Sequence, residues 1–387
     1  MARIAQAVAR HLPEALVPVF TPGFARSHLL LDEFVFRLTV RVAAAAGLVE
    51  AAREWGTGDE ILERAGLDPR SRVPVDWMLR HLAARGVLAR DDAGRFRCDG
   101  ALPDLDPAEV LAEQRRHDPA CLPAYALAET AARDYPQFLQ GKRSGDDILL
   151  APARLPLWSA YFSNDNPLYA VNNRVGAVAL EAWLAPEATT ILELGGGLAS
   201  GALAALERLA AAGRLARIER YRFTELVPAF LQRGQRRLQE RFPGLSSVTF
   251  GRLDMNRPFA AQGVEPGSTS AVYAVNTLHV AHDLAFTLGE IRAALRPGGQ
   301  LIVSEGVRPW PGQTLYPEFV FNVMETFRAP RLHPVYRPTG GFLTPGQWTL
   351  ALEAAGFRDI RVLPDIDRIR EVFPTFYVAA LGAVSPA

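Results

Sequence analysis

From about residue 30 to residue 150, Leu, Ala and Val recur at spacings of three and four. That is the repeat of one helix face, so the stretch predicts a mainly helical region. Residues 76–100, DWMLRHLAARGVLARDDAGRFRCDG, change character partway. Arg85-Gly86 stops a helix, and Asp91-Asp92-Ala93-Gly94 supplies the turn between two short strands. The second half alternates apolar runs with amphipathic ones. Strands are predicted at 189–194, 221–224, 248–253, 271–275, 300–304, 360–363 and 376–381. Helices are predicted at 201–212, 227–242, 284–295 and 347–355, the third stopped by Arg296-Pro297-Gly298-Gly299. Strands alternating with helices imply right-handed βαβ units and an α/β fold with a doubly wound, mostly parallel, Rossmann-like sheet. The expected division is 1–155 for the helical part and 156–387 for the sheet part.

Charge narrows the reading. The 387 residues carry 42 basic and 42 acidic side chains, a formal charge of zero. The helix and hairpin of 76–100 form a winged-helix-like arrangement, which often means DNA, but no dense basic face accompanies it. Binding to nucleic acid or to an anionic membrane is therefore not expected. Cys98 and Cys121 have neither the spacing of a zinc site nor the density of a disulfide scaffold, so no metal is expected. The first twenty residues lack a compact apolar run before a cleavage site, and no run of about 18 apolar residues occurs. A cytoplasmic, soluble protein is the expectation.

A doubly wound sheet binds ligands beyond the carboxyl ends of its strands, and three signals fall there in order. The first is ILELGGGLASG, 191–201, a strand entering a glycine-rich turn and leaving into a helix. Gly195 and Gly197 let backbone approach a ligand with no Cβ in the way. Read as the dinucleotide fingerprint GxGxxG, the turn has Ser200 where the last glycine belongs. Glu193 before it would repel a pyrophosphate and would suit a cationic amine. The second signal is Glu225 in YRFTEL, placed to accept hydrogen bonds from ribose hydroxyls. The third is Asp254-Met255, a carboxylate and a thioether suited to the edge and face of an adenine. Each alone also reads as an ordinary turn, helix start or loop acid. Together they point to S-adenosylmethionine in place of a dinucleotide.

On these residues the chain resembles class I S-adenosylmethionine-dependent methyltransferases, and more narrowly the C-methyltransferase domains embedded in polyketide synthases. The resemblance is carried by YRFTELVPAFL (221–231), FAAQGVEPGS (259–268), AVNTLHVAHDL (274–284), LRPGGQLIVSEGVRP (295–309) and FLTPGQWTLALEAAGF (342–357). It covers roughly residues 160–385. Before it, 76–100 resembles the winged-helix dimerisation domain of small-molecule O-methyltransferases, which implies a homodimer. The family's glycine turn continues with two more glycines, where this chain has Ala199 and Ser200. The cofactor set implied is Glu193, Gly195, Gly197, Glu225, Asp254, Met255 and Asn276. No carrier-protein or ketosynthase segment is recognised, so the expectation is a small-molecule or carrier-linked natural-product intermediate met in trans.

The resemblance also implies a catalytic pair. A His after the fourth strand and a Glu at the end of the fifth, here His279 and Glu305, take a proton from the carbon to be methylated. His282 is read as a helix N-terminal residue instead. The segment 158–173 is expected to cover the pocket, with Tyr161, Phe162, Tyr169 and Asn172 as substrate contacts. Trp348 and the aromatic run 319–327 are expected to form a further wall. The spacing of His279 to Pro297 favours C-methylation over O-methylation. A cyclase-like enzyme on the same scaffold and a winged-helix ligand-sensing regulator are the competing readings.

Overall fold

The computed structural model describes residues 1–185 and 189–386. They fall into two compact units. One comprises Gly23–Tyr161 and Gly312–Ala329; the other comprises Met1–Pro22, Phe162–Pro311 and Pro330–Ala387. The sequence reading places one boundary, at 155/156, and has no means of seeing the excursions at 1–22 and 312–329. Hydrophobic periodicity assigns a face to a segment but does not say which distant segment it packs against.

The first unit is mainly helical. The helices Arg72–Ala84 and Leu122–Leu139 supply fully buried Trp77, Met78, Tyr125 and Tyr135 to its core. Gly86, at φ 73°, lets the chain leave the helix Arg72–Ala84. A two-residue antiparallel pair follows, β1 (Ala89–Arg90) with β2 (Phe96–Arg97), and Phe96 also bridges Gly56. The predicted helix and hairpin are both present. Segment 312–329 is pinned by Glu318, whose carboxylate accepts the Trp77 indole N–H at 2.9 Å and the Leu315 amide at 2.8 Å. Phe319 packs on Trp77 and Tyr135, and Phe327 is buried. These two aromatics of 319–327 are core of the helical unit, while Trp348 belongs to the sheet unit.

The second unit holds, among its described residues, a seven-stranded sheet: β3 (Thr189–Leu194), β4 (Ile218–Thr224), β5 (Val248–Gly251), β6 (Thr269–Val275), β7 (Leu295–Gly306), β8 (Arg358–Leu363) and β9 (Val378–Val384). The order is β5-β4-β3-β6-β7-β9-β8. Pairing is parallel from β5 to β7, and β9 runs antiparallel between β7 and β8. The direction of strand addition reverses between β3 and β6, so a crevice opens there at the carboxyl ends. The Arg296-Pro297-Gly298-Gly299 stretch, read as a helix stop, is a register shift inside β7: Leu295 already pairs with Thr269, and regular pairing resumes at Gln300. The segment 158–173 is two helices, Leu155–Tyr161 and Pro167–Trp183, because Asn166-Pro167 starts a new one with proline in its first turn. The second lies close on the sheet. A Cβ on Gly176 would stand 2.8 Å from the Tyr273 hydroxyl and 2.9 Å from Ser304.

The turn after β3 sets the strictest backbone demand. Gly195 and Gly197 have φ of 59° and 56°, and Ala199 reaches 66° with its Cβ in place. A methyl group added to Gly196 would run into the Phe223 ring. Ala199→Gly should therefore leave stability unchanged or raise it by up to about 1 kcal/mol, by removing left-handed strain. Gly196→Ala should lower it by about 1–3 kcal/mol through overpacking. Urea denaturation checks both, and equal losses in the two variants would contradict this turn geometry.

Candidate active site

The residues singled out in the sequence collect at the carboxyl ends of five adjacent parallel strands. Glu193 is the last but one residue of β3, which runs into the glycine turn, and Glu225 directly follows β4. Asp254 and Met255 follow β5, Asn276 to His279 follow β6, and Glu305 lies near the end of β7.

Glu193 is 1% exposed, and its Oε2 accepts the Tyr221 hydroxyl at 3.0 Å. Burial pushes its carboxyl up to about 8, with the Tyr221 hydrogen bond opposing. It is thus a proton-bearing acid near neutrality, where the sequence reading treats it as a fixed negative charge. Glu225 is tied to the turn itself. Its Oε2 accepts the Gly197 amide at 2.9 Å and its Oε1 the Val227 amide at 2.8 Å. Burial raises its carboxyl, and those amides pull it back. Asp254 caps its own loop, accepting the Asn256 amide at 2.9 Å, while Gln262 brackets its backbone. The Met255 carbonyl accepts from the Thr287 hydroxyl at 3.0 Å. Asn276 sits at φ 51°, donates its amide to the Ser304 carbonyl at 2.8 Å, and its side chain bonds the Tyr169 hydroxyl.

The Glu305 carboxylate is fully buried and organises the loop after β6. Its Oε1 accepts the amides of Thr277 at 3.1 Å, Leu278 at 2.7 Å and His279 at 3.4 Å. Its Oε2 lies 2.6 Å from Nδ1 of His279, which is itself 6% exposed. A carboxylate only accepts, so Nδ1 carries the hydrogen and Nε2 is the basic nitrogen of the neutral ring. The Phe342 ring lies over the imidazole with centroids 4.8 Å apart. His282 precedes the helix Leu284–Ala294, whose N-cap is Asp283, and donates its amide to Asn256.

The proposed substrate contacts separate. Phe162 packs edge-on with Tyr169, at 5.0 Å, in the sheet unit. Asn172 gives its side-chain and main-chain oxygens to the Ser304 hydroxyl. Tyr161 belongs to the helical unit, beside Trp158 and Phe321. Trp348 is 1% exposed within the helix Pro345–Ala354, which packs on β8 and β9. Sequence reasoning missed Thr277, Phe342, Tyr221 and Arg337. Tyr221 was readable as an inward position of a period-2 strand. Arg337 was not, because it reaches the loop after β6 from a loop nearly sixty residues downstream.

A carboxyl whose folded-state pKa exceeds its unfolded value holds its proton more tightly when folded. The contribution of Glu193 to stability should be complete below the usual carboxylate value of 4.5 and decline as pH rises towards 8. Glu193→Gln, which keeps an acceptor for Tyr221, should flatten that decline. Denaturation curves at several pH values between 4.5 and 8 test it, and identical pH slopes for both proteins would show that Glu193 is not the group responsible.

No protein-family profile matches the chain. Among curated proteins it is similar to polyketide synthase PksR of Bacillus subtilis (strain 168), 29% identical over 246 residues, which is 62% of this chain and 9% of that protein. It is also similar to polyketide synthase ThaQ of Burkholderia thailandensis, 27% identical over 375 residues, 90% of this chain and 17% of that protein. The chain thus spans less than a fifth of these synthases. Among solved structures, the CurJ carbon methyltransferase aligns over 100% of this chain and 99% of its own, with TM-score 0.79 and 19% identity. The DszA carbon methyltransferase aligns over 98% and 95%, with TM-score 0.72 and 23% identity. The trans-methyltransferase CalH, in complex with SAH, aligns over 91% and 90%, with TM-score 0.58 and 21% identity. The first two alignments take in the N-terminal helical unit as well, beyond the stretch on which the sequence resemblance rests. The chain has the fold of polyketide synthase carbon methyltransferase domains across both of its units.

Proposed function

We propose that the chain is an S-adenosylmethionine-dependent carbon methyltransferase. Its substrate is an acidic carbon on a polyketide-type intermediate, carried as a thioester on a carrier protein. The observation that carries this reading is the His279–Glu305 pair, held at a strand switch point beside a glycine turn. The residues present fit the cofactor. A Cβ on Gly195 would stand 2.5 Å from Thr277, so the turn there is open only to backbone. Beside that turn, at the ends of β3 and β4, lie Glu193, whose carboxyl would give up its proton to pair with an ammonium group, and a carboxylate for ribose hydroxyls, Glu225. Asp254, Met255 and Asn276 complete the rim. When bound, the cofactor supplies an electrophilic methyl group.

The chain's own part is proton transfer and positioning. Nε2 of His279 takes the proton from the substrate carbon, leaving a carbanion stabilised by its neighbouring carbonyl groups. The imidazolium is stabilised by the Glu305 carboxylate, which three backbone amides hold in place. Phe342 covers the ring and limits water. Holding the carbon in line with the methyl group accounts for the remaining acceleration. The helix and hairpin of the N-terminal unit support a second element of the reading, a winged-helix-type module through which the protein forms a homodimer. Among the described residues no helix is long and apolar enough to cross a membrane.

His279→Ala should lower the rate of methyl transfer about 10²–10⁴-fold, the usual contribution of a general base. Cofactor affinity by calorimetry should stay nearly intact. Glu305→Gln should lower the rate as well, since one amide oxygen cannot accept from both the backbone amides and Nδ1, and the NH2 group then faces N–H donors. Single-turnover transfer from labelled S-adenosylmethionine at pH 6 to 9, with mass spectrometry locating the label on carbon or oxygen, reads both. A full rate and an unchanged pH profile in His279→Ala would remove the base from the reading. Light scattering should report a dimer at micromolar concentration, and a monomer there would withdraw the dimerisation proposal.

A further inference from the structure

We infer that Arg337 is a positioning residue that braces the turn carrying His279. The inference rests on His279 acting as the base. Leu278–Val280 is a single 3₁₀ turn, too short to hold its own shape. Its amides are tied to Glu305 on one side. On the other side, two successive outward carbonyls meet one guanidinium: Nη2 of Arg337 donates to the His279 carbonyl and Nη1 to the Ala281 carbonyl, both at 2.6 Å. A planar fork spans two acceptors in a way that an ammonium does not. Glu305 and Arg337 therefore clamp the same turn from opposite ends of its peptide dipoles.

Arg337 is delivered by a loop fastened to the same stretch of chain. The Arg331 amide donates to the His282 carbonyl at 2.6 Å, and its guanidinium pairs with Asp283 at 2.6 Å. His333 and Arg337 exchange backbone hydrogen bonds at 2.9 and 3.0 Å, and His333 stacks on Tyr336. Arg337 itself is 1% exposed. It forms no ion pair among the described residues, and its Nε has no hydrogen-bond partner. A buried guanidinium held only by carbonyls is costly to keep unless its charge is used.

The two carbonyls are that use. Burial lowers the guanidinium to about 10, opposed by Glu305, Asp283 and Tyr336, so it remains cationic at neutral pH. A cationic donor strengthens both hydrogen bonds to the turn.

Two variants of the full chain test the brace. Arg337→Lys keeps the charge and loses the fork. It should speed hydrogen exchange at the Leu278 and His279 amides about tenfold and lower kcat about tenfold at unchanged KM. Arg337→Gln, which loses both fork and charge, should speed that exchange at least as much. Unchanged exchange in Arg337→Lys overturns the brace, and faster exchange with an unchanged kcat overturns its bearing on turnover. If Arg337→Gln does not fold, the Lys variant still decides. Hydrogen exchange needs no turnover, so failure of His279 as the base, read from His279→Ala activity, is distinguishable from failure of the role given to Arg337.

Discussion

A buried carboxylate has to be satisfied where it stands, and Glu305 imposes that constraint on the carboxyl end of the sheet. It is fully buried near the end of β7, surrounded by strand and helix. Leaving such a group without donors would cost several kcal/mol. The donors come from the neighbouring strand's continuation: three successive amides from Thr277 to His279, and the His279 ring. The chain after β6 must therefore curl over the end of β7 instead of running on as strand. Asn276, at φ 51°, is the residue that makes the bend. Satisfying one charge thus creates the turn, aims the imidazole and fixes its tautomer.

That turn is joined to the glycine turn after β3 by one side chain. Thr277 donates to the Gly195 carbonyl at 3.2 Å, and its methyl and hydroxyl fill the space that a Cβ on Gly195 would need. The Glu225 carboxylate ties the far side of the glycine turn to the end of β4. The Gly197 amide consequently spends its hydrogen on Glu225, and the turn is fastened at two points. The residues proposed for the cofactor and those proposed for the proton are parts of one rigid hydrogen-bonded rim. The helix starting at Pro228 adds to it. Gly234 lies where a Cβ would stand 2.8 Å from Phe223 and 3.1 Å from the Gly197 carbonyl.

The sheet was largely legible because its parallel strands are apolar runs with turn residues at both ends. β3 is matched at both ends, and β4 and β6 at their carboxyl ends, where the chemistry lies. What escaped was information that periodicity does not hold. The amino-terminal extension of β4, Ile218–Arg220, has one buried residue followed by two exposed ones, so no alternation marks it as strand. The start of β7 lies across a proline and two glycines, residues that usually end an element and here form a register shift. The membership of 1–22 and 312–329 in their units depends on contacts such as Trp77 with Glu318, 241 positions apart. At the site, His279 and Glu305 were named from a resemblance, and the sequence alone held no sign that a histidine and a glutamate 26 residues apart would meet. Arg337 had neither signal. It follows a proline-rich stretch, and its importance exists only in the folded chain.

The site also contains two buried glutamates that sequence treats alike and the fold does not. Both are buried near the carboxyl ends of strands that run parallel to a neighbour. Glu193 is offered one hydroxyl, from Tyr221, and is left holding its proton up to about 8. Glu305 is offered three backbone amides and an imidazole. The difference is set by the neighbouring chain. Beside Glu193, β4 continues as regular strand and spends its amides on pairing with β3 and β5. Beside Glu305, the chain after β6 has left the sheet, and its amides are free to turn inward. Where a strand ends relative to its neighbour therefore decides which buried acid is offered a single hydroxyl and which one gathers backbone amides and an imidazole.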